Sequence, residues 1–98
     1  MRYFIRLNED PALQAEAKHV ERISPSEVEI SDVAEFPFYV GPIRVSKFEL
    51  VDESGEVWAY RRLPAAACFI LTDCMTVTVN WRCTVVADKE GIEFGAQG

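Results

Sequence analysis

Positive charge is scarce in this 98-residue chain. Ten Lys and Arg residues stand against sixteen Asp and Glu, for a net charge of −6. A free-standing module that grips DNA or RNA shows a Lys/Arg excess, so direct nucleic-acid binding is not expected. Histidine is scarcer still, with His19 alone. The cysteines Cys68, Cys74 and Cys83 have spacings that match no zinc pattern. Their odd number leaves one thiol outside any disulfide scheme, and reduced thiols acting as small buried hydrophobes are the expectation. No metal and no cofactor are expected. The five glycines sit singly, so no glycine-rich loop cradles phosphate. No apolar run approaches the ~18 residues of a membrane-spanning helix. The stretch Met1–Leu7 is broken by Arg2 and Arg6, unlike the apolar core of a secretory signal. A cytoplasmic protein without membrane contact is therefore expected.

What is present is ordinary for a globular protein: 49% hydrophobic, 27% charged and 11% aromatic residues. A single domain over residues 1–98 should bury about 60–70% of its unfolded surface and fold without staples. Arg2 to Leu7 reads as a strand with Tyr3, Ile5 and Leu7 on one face. Asn8-Glu9-Asp10-Pro11 looks like a helix start, with Asp10 as cap and Pro11 at the first helical position. The spacing of Leu13, Ala17 and Val20 predicts a helix from Pro11 to Ile23, ended by Ser24-Pro25. Residues 26–35 allow either a capping-box helix from Ser26 or a strand. The alternation of Val28 and Ile30 with Glu27 and Glu29 favours the strand.

The remainder reads as an antiparallel meander. Ile43–Val51 and Glu56–Leu63 flank the hairpin loop Asp52-Glu53-Ser54-Gly55, with a bulge near Ser46-Lys47 to reconcile two alternation phases. Ala66–Leu71 reads as a strand buried on both faces, followed by a turn at Thr72-Asp73-Cys74. Met75, Val77, Val79, Trp81, Cys83 and Val85 then face one way, with Thr76, Thr78, Asn80, Arg82 and Thr84 opposite. A turn at Asp88–Gly91 should return Ile92-Glu93-Phe94 as a short edge strand, with 95–98 fraying. The expected fold is α+β: a single helix packed on a mostly antiparallel sheet of five or six strands.

Chemistry finds little support. His19 has no nucleophile beside it in sequence; Cys74, at a turn, is the most exposed candidate for a Cys–His enzyme. Glu27 and Glu29 would project from one strand face about 7 Å apart, as paired carboxylates must, but a chain this small has little room for a catalytic pocket. Trp58, Tyr60, Arg61 and Arg62 interleave aromatics and cations as single-strand binders do, without a second basic cluster. No catalytic residue is assigned.

Charge is uneven along the chain. Residues 1–22 and 61–98 each balance four acids with four bases, whereas 23–60 carry eight acids against Arg44 and Lys47. The whole excess lies on Glu27, Glu29, Asp32, Glu35, Glu49, Asp52, Glu53 and Glu56. With Phe36, Phe38, Tyr39 and Trp58 as aromatic anchors, these residues suggest a protein-binding face. The expected function is a non-enzymatic inhibitor that occludes a basic, nucleic-acid-binding surface of a partner protein. Phage-encoded anti-CRISPR inhibitors and toxin-immunity proteins are analogous in size and charge. The alternatives are an assembly protein forming homo-oligomers through its sheet edges, or a small enzyme using Cys or paired carboxylates.

Overall fold

Period-two alternation, more than helical spacing, organises the N-terminal half of the chain. The computed structural model describes residues 2–36, 42–72 and 75–92. Strand β1 (Tyr3–Leu7) buries Tyr3, Ile5 and Leu7 on one face. Asn8 and Glu9 then both take left-handed angles, φ 51° and 60°, and the Asp10 N–H donates to the Leu7 carbonyl at 2.9 Å. A second turn follows, in which Leu13 N–H donates to the Asp10 carbonyl and Ala12 N–H to the Asp10 carboxylate, both at 2.9 Å. The chain returns as β2 (Gln14–Ala17), antiparallel to β1 from Tyr3↔Ala17 to Arg6↔Gln14.

This overturns the helix expected over 11–23, and with it the α+β class. The chain is nearly all β; the helical content among the described residues is two short 3₁₀ turns, Ala65–Ala67 and Ala87–Lys89. Asp10 and Pro11 suit a tight turn as well as a helix start. Leu13, Ala15 and Ala17 are also spaced by two, and all three are buried. A helix here would draw its stability from packing one stripe. The edge of β1 offers a backbone ladder as well as an apolar surface, and it prevails.

Lys18 and His19 lead into β3 (Val20–Ser24), which pairs with β4 (Glu27–Phe36) with a register shift between Arg22 and Ser24. The strand reading of 26–35 holds. Next come β5 (Ile43–Val45), β6 (Lys47–Asp52), β7 (Val57–Arg62), β8 (Phe69–Leu71) and β9 (Met75–Val85). Seven strands form one antiparallel sheet in the order β2-β1-β6-β7-β9-β4-β3, and β5 pairs with β8 separately. The bulge expected near Ser46-Lys47 is a break between β5 and β6. Asn8 bridges it, accepting from Ser46 N–H and donating to the Arg44 carbonyl, each at 3.0 Å. Gly55, at φ 89°, closes the expected 52–55 loop.

The doubly buried strand expected over Ala66–Leu71 shrinks to Phe69–Leu71, with Ile70 exposed. Three consecutive alanines after Pro64 bring too little apolar surface to hold an extended edge. The long β9 is as expected: it pairs with β4 without a register shift from Glu27↔Thr84 to Phe36↔Met75. Ile92 lies in no strand, while Asp73, Cys74, Glu93, Phe94 and the 95–98 tail lie outside the described residues. Among the described residues no helix is long and apolar enough to cross a membrane.

β2 and β3 stand at opposite ends of the sheet yet are consecutive in the chain, so the sheet must curl. Its concave side encloses Ile5, Leu7, Ile30, Phe36, Phe48, Leu50 and Leu71. At the Lys18–His19 corner, Asp32 Oδ2 accepts from both backbone N–H groups, at 2.8 and 3.0 Å. Asp32 Oδ1 lies 3.0 Å from His19 Nδ1, and Ser31 N–H donates to the His19 carbonyl at 2.9 Å. Asp32→Ala should lower stability by about 1–3 kcal/mol in denaturant titration and speed hydrogen exchange at the Lys18 and His19 amides. Asp32→Asn keeps an acceptor oxygen and should recover most of both.

Candidate functional site

The curl divides the nominated residues into interior and exterior sets. Phe36 falls in register with Val28, Ile30 and Ala34 and is buried in the core. Glu49 is 5% exposed and accepts from Arg6 Nε and Nη2 at 3.0 and 2.9 Å, with Lys47 Nζ at 3.5 Å. Trp58 is buried too, its ring edge-on to Tyr3 at 5.6 Å and Lys89 Nζ 4.5 Å over its centre. Neither Phe36 nor Trp58 stands at the surface as an anchor. Phe38 and Tyr39 lie outside the described residues.

Asp52 is the staple of its hairpin. Oδ1 accepts from Ser54 N–H at 2.8 Å, Ser54 Oγ at 2.6 Å and Glu56 N–H at 3.1 Å, while Oδ2 accepts from Trp58 Nε1 at 2.9 Å. Burial alone would push this carboxyl up, but the donors from Ser54, Trp58 and Glu56 outweigh it and bring it down to about 2. Glu53 accepts from the Arg2 N–H at 2.9 Å, and Glu56 pairs with Lys89 Nζ at 2.8 Å. The Glu56 hydrogen bond holds the Lys89 ammonium above its ordinary pKa. Asp32 serves the corner. Five of the eight acids in the 23–60 block thus have internal tasks: Asp32, Glu49, Asp52, Glu53 and Glu56.

The remaining three, Glu27, Glu29 and Glu35, project outward from β4 with Ser31 and Val33 between them. Across the ladder they meet Thr84, Arg82 and Thr76 of β9. From β3, Glu21 stands directly opposite Glu29. Among the described residues this trio of Glu21, Glu27 and Glu29 is answered by Arg82 alone, whose Nε lies 3.5 Å from Glu29. Like charges opposed across strands are unfavourable. Val33 is 66% exposed at the middle of β4. Shallow depressions flank it, about 300 Å³ beside Glu16, Lys18 and Glu35, and about 450 Å³ beside His19, Thr78 and Asn80. Val33 is thus an exposed aliphatic side chain among polar and charged neighbours.

Val33, Glu21 and His19 join this face in addition to the residues expected from the sequence. Val33 was legible as an outward position of β4; Glu21 was hidden by the helix assigned to its segment. Cys83 is buried in the core, and burial pushes its thiol up to about 12, so it supplies no thiolate near neutrality. The Cys68 thiol points at the Leu63 and Pro64 carbonyls, and Cys74 lies outside the described residues. His19 is paired with Asp32 and its side chain is 75% exposed. No three His, Cys, Asp or Glu side chains converge as metal ligands among the described residues. No protein-family model, curated protein or solved structure matches the chain.

Two measurements check these assignments. Glu21→Gln should raise stability by a few tenths to about 1 kcal/mol at low salt, with the gain shrinking as salt screens the pair. The folded Asp52 carboxyl lies below its ordinary value of 3.8. Its stabilisation is therefore complete above about pH 4 and lost as pH falls towards 2. Asp52→Asn turns an amide N–H against the Trp58 indole N–H; it should cost about 1–3 kcal/mol at neutral pH and flatten that acid limb.

Proposed function

We propose that the chain is a non-enzymatic binding protein that docks the outward face of β3, β4 and β9 on a basic surface of a partner protein, as an inhibitor occluding a nucleic-acid-binding site would. The observation that carries this reading is the fate of the acidic block. Five of its carboxylates are engaged by partners within the chain, Glu53 and Glu56 at the surface, and the three left over share one sheet face with Glu21 and exposed Val33.

The arrangement suits rapid, oriented encounter. The ladder fixes the backbone from which these carboxylates project, and their field draws a cationic surface before contact. Val33 then offers an apolar centre from which water is excluded. Acids of this kind set on-rate and register more than final affinity, which leaves the apolar centre to govern dissociation.

A candidate partner with a basic nucleic-acid groove tests the reading by titration at about 50 and about 500 mM salt. Affinity should fall at least about tenfold over that range, consistent with several screened charge contacts. Joint replacement of Glu27, Glu29 and Glu35 by Gln should slow association by a similar factor and leave the melting temperature unchanged or raised. Val33→Ala should speed dissociation. Nucleic acid should compete with the protein for the partner. Binding indifferent to both salt and the triple amide variant overturns the proposal.

A further inference from the structure

Among the described residues, the longest strand is paired on one side only for most of its length. β9 meets β4 along ten consecutive register positions, Thr84 to Met75. Its other edge meets β7 at just two, Ala59↔Val85 and Tyr60↔Thr84, because β7 then leaves to continue towards β8. Val85 N–H donates to Ser26 on the β4 side and Val86 N–H to Trp58 on the β7 side, which fixes the phase of the backbone. The N–H and C=O groups of Thr76, Thr78, Asn80 and Arg82 therefore point into the gap left by β7. Among the described residues no backbone ladder receives them.

Natural edges of this kind are blunted by proline, lysine, inward charges or bulges. Residues 76–82 contain no proline, glycine or lysine, and the register beside them is unbroken. Their single charge, Arg82, sits at one end. An edge this long and unblunted is a template for another strand.

We infer that the occupant is the same edge of a second copy of this chain, paired antiparallel about a two-fold axis at Val79. In that register Thr76 faces the second copy's Arg82 and Thr78 faces its Asn80, so no like charges are opposed. All four inward-turned residues of each copy are satisfied, through about eight backbone hydrogen bonds across the junction. On the concave side Val77 meets Trp81 of the other copy, and these two residues are only half-buried within one chain. An edge that is β-branched from Thr76 to Val79 and whose one charge is the cation Arg82 suits self-pairing better than capture of a basic segment, which would be drawn to the acidic face on β4 instead. The contact is isologous, so it closes at two copies.

The full chain tests this by light scattering and hydrogen exchange between about 1 and 200 μM. Self-association should strengthen with salt, because two copies of net charge −6 repel. That trend is opposite to the one expected for docking on a basic partner, so the two readings fail separately. The amides of Thr76, Thr78, Asn80 and Arg82 should gain protection as the dimer forms. Thr76→Arg faces Glu35 within one chain, so the variant keeps its fold, yet opposes Arg82 of the other copy twice; it should weaken the dimer about tenfold. Adding Arg82→Thr to that variant removes the opposed charges and should restore it. A strict monomer at both salts, a dimer that leaves the four amides unprotected or ignores these two variants, or protection appearing only on addition of another protein overturns the inference.

Discussion

Everything in this fold hangs on turning one chain segment through a corner without leaving its backbone unsatisfied. β2 and β3 are consecutive yet stand at the two ends of a seven-stranded sheet, so the chain between them must leave one end and enter the other. A corner interrupts the ladder, and an unpaired N–H carries a desolvation cost. One carboxylate oxygen of Asp32 takes both N–H groups at once. Together with the Ser31 N–H bond to the His19 carbonyl, that acceptor pins the corner at which the curl closes. It also sets β4 with its even-numbered residues inward and its odd-numbered ones towards solvent. Asn8 does comparable work at the β5–β6 break, where a left-handed residue spends its side chain on two backbone groups of another strand.

The sequence was legible where its pattern admitted one period. Val28, Ile30 and their acidic neighbours, the 52–55 loop with its glycine, the discontinuity at Ser46 and the alternation through β9 could all be read, and the structure carries each. It was illegible where a pattern admitted two. Leu13, Ala17 and Val20 fit a helical stripe, while Leu13, Ala15 and Ala17 fit a strand, and Asp10-Pro11 begins either. Nothing local distinguishes them; the deciding partner, β1 with a free edge, acts through tertiary pairing. The Ala65–Ala67 turn fails for a related reason, since apolar composition alone does not say whether a run is extended.

The candidate site shows the same division. That the acidic excess lay in 23–60 was readable, but which acids are spare was not. Glu49 and Asp52 sit on a strand that is covered on both sides, and their partners Arg6, Lys47 and Trp58 come from positions no local spacing reveals. Counting charge along a chain locates an imbalance; subtracting the internally engaged carboxylates locates a surface.

The β4–β9 ladder has a consequence for how the chain is made. Its two strands are separated by every residue of β5, β6, β7 and β8, so β4 leaves the ribosome well before the strand that completes it. Pairings between such distant segments also close slowly. Through that interval β4 presents apolar residues on one side and a bare edge where β9 will lie, the combination most prone to misjoining with other nascent chains. Glu27, Glu29 and Glu35 ride on the same strand. Their mutual repulsion between copies opposes such misjoining while β4 waits for its partner strand.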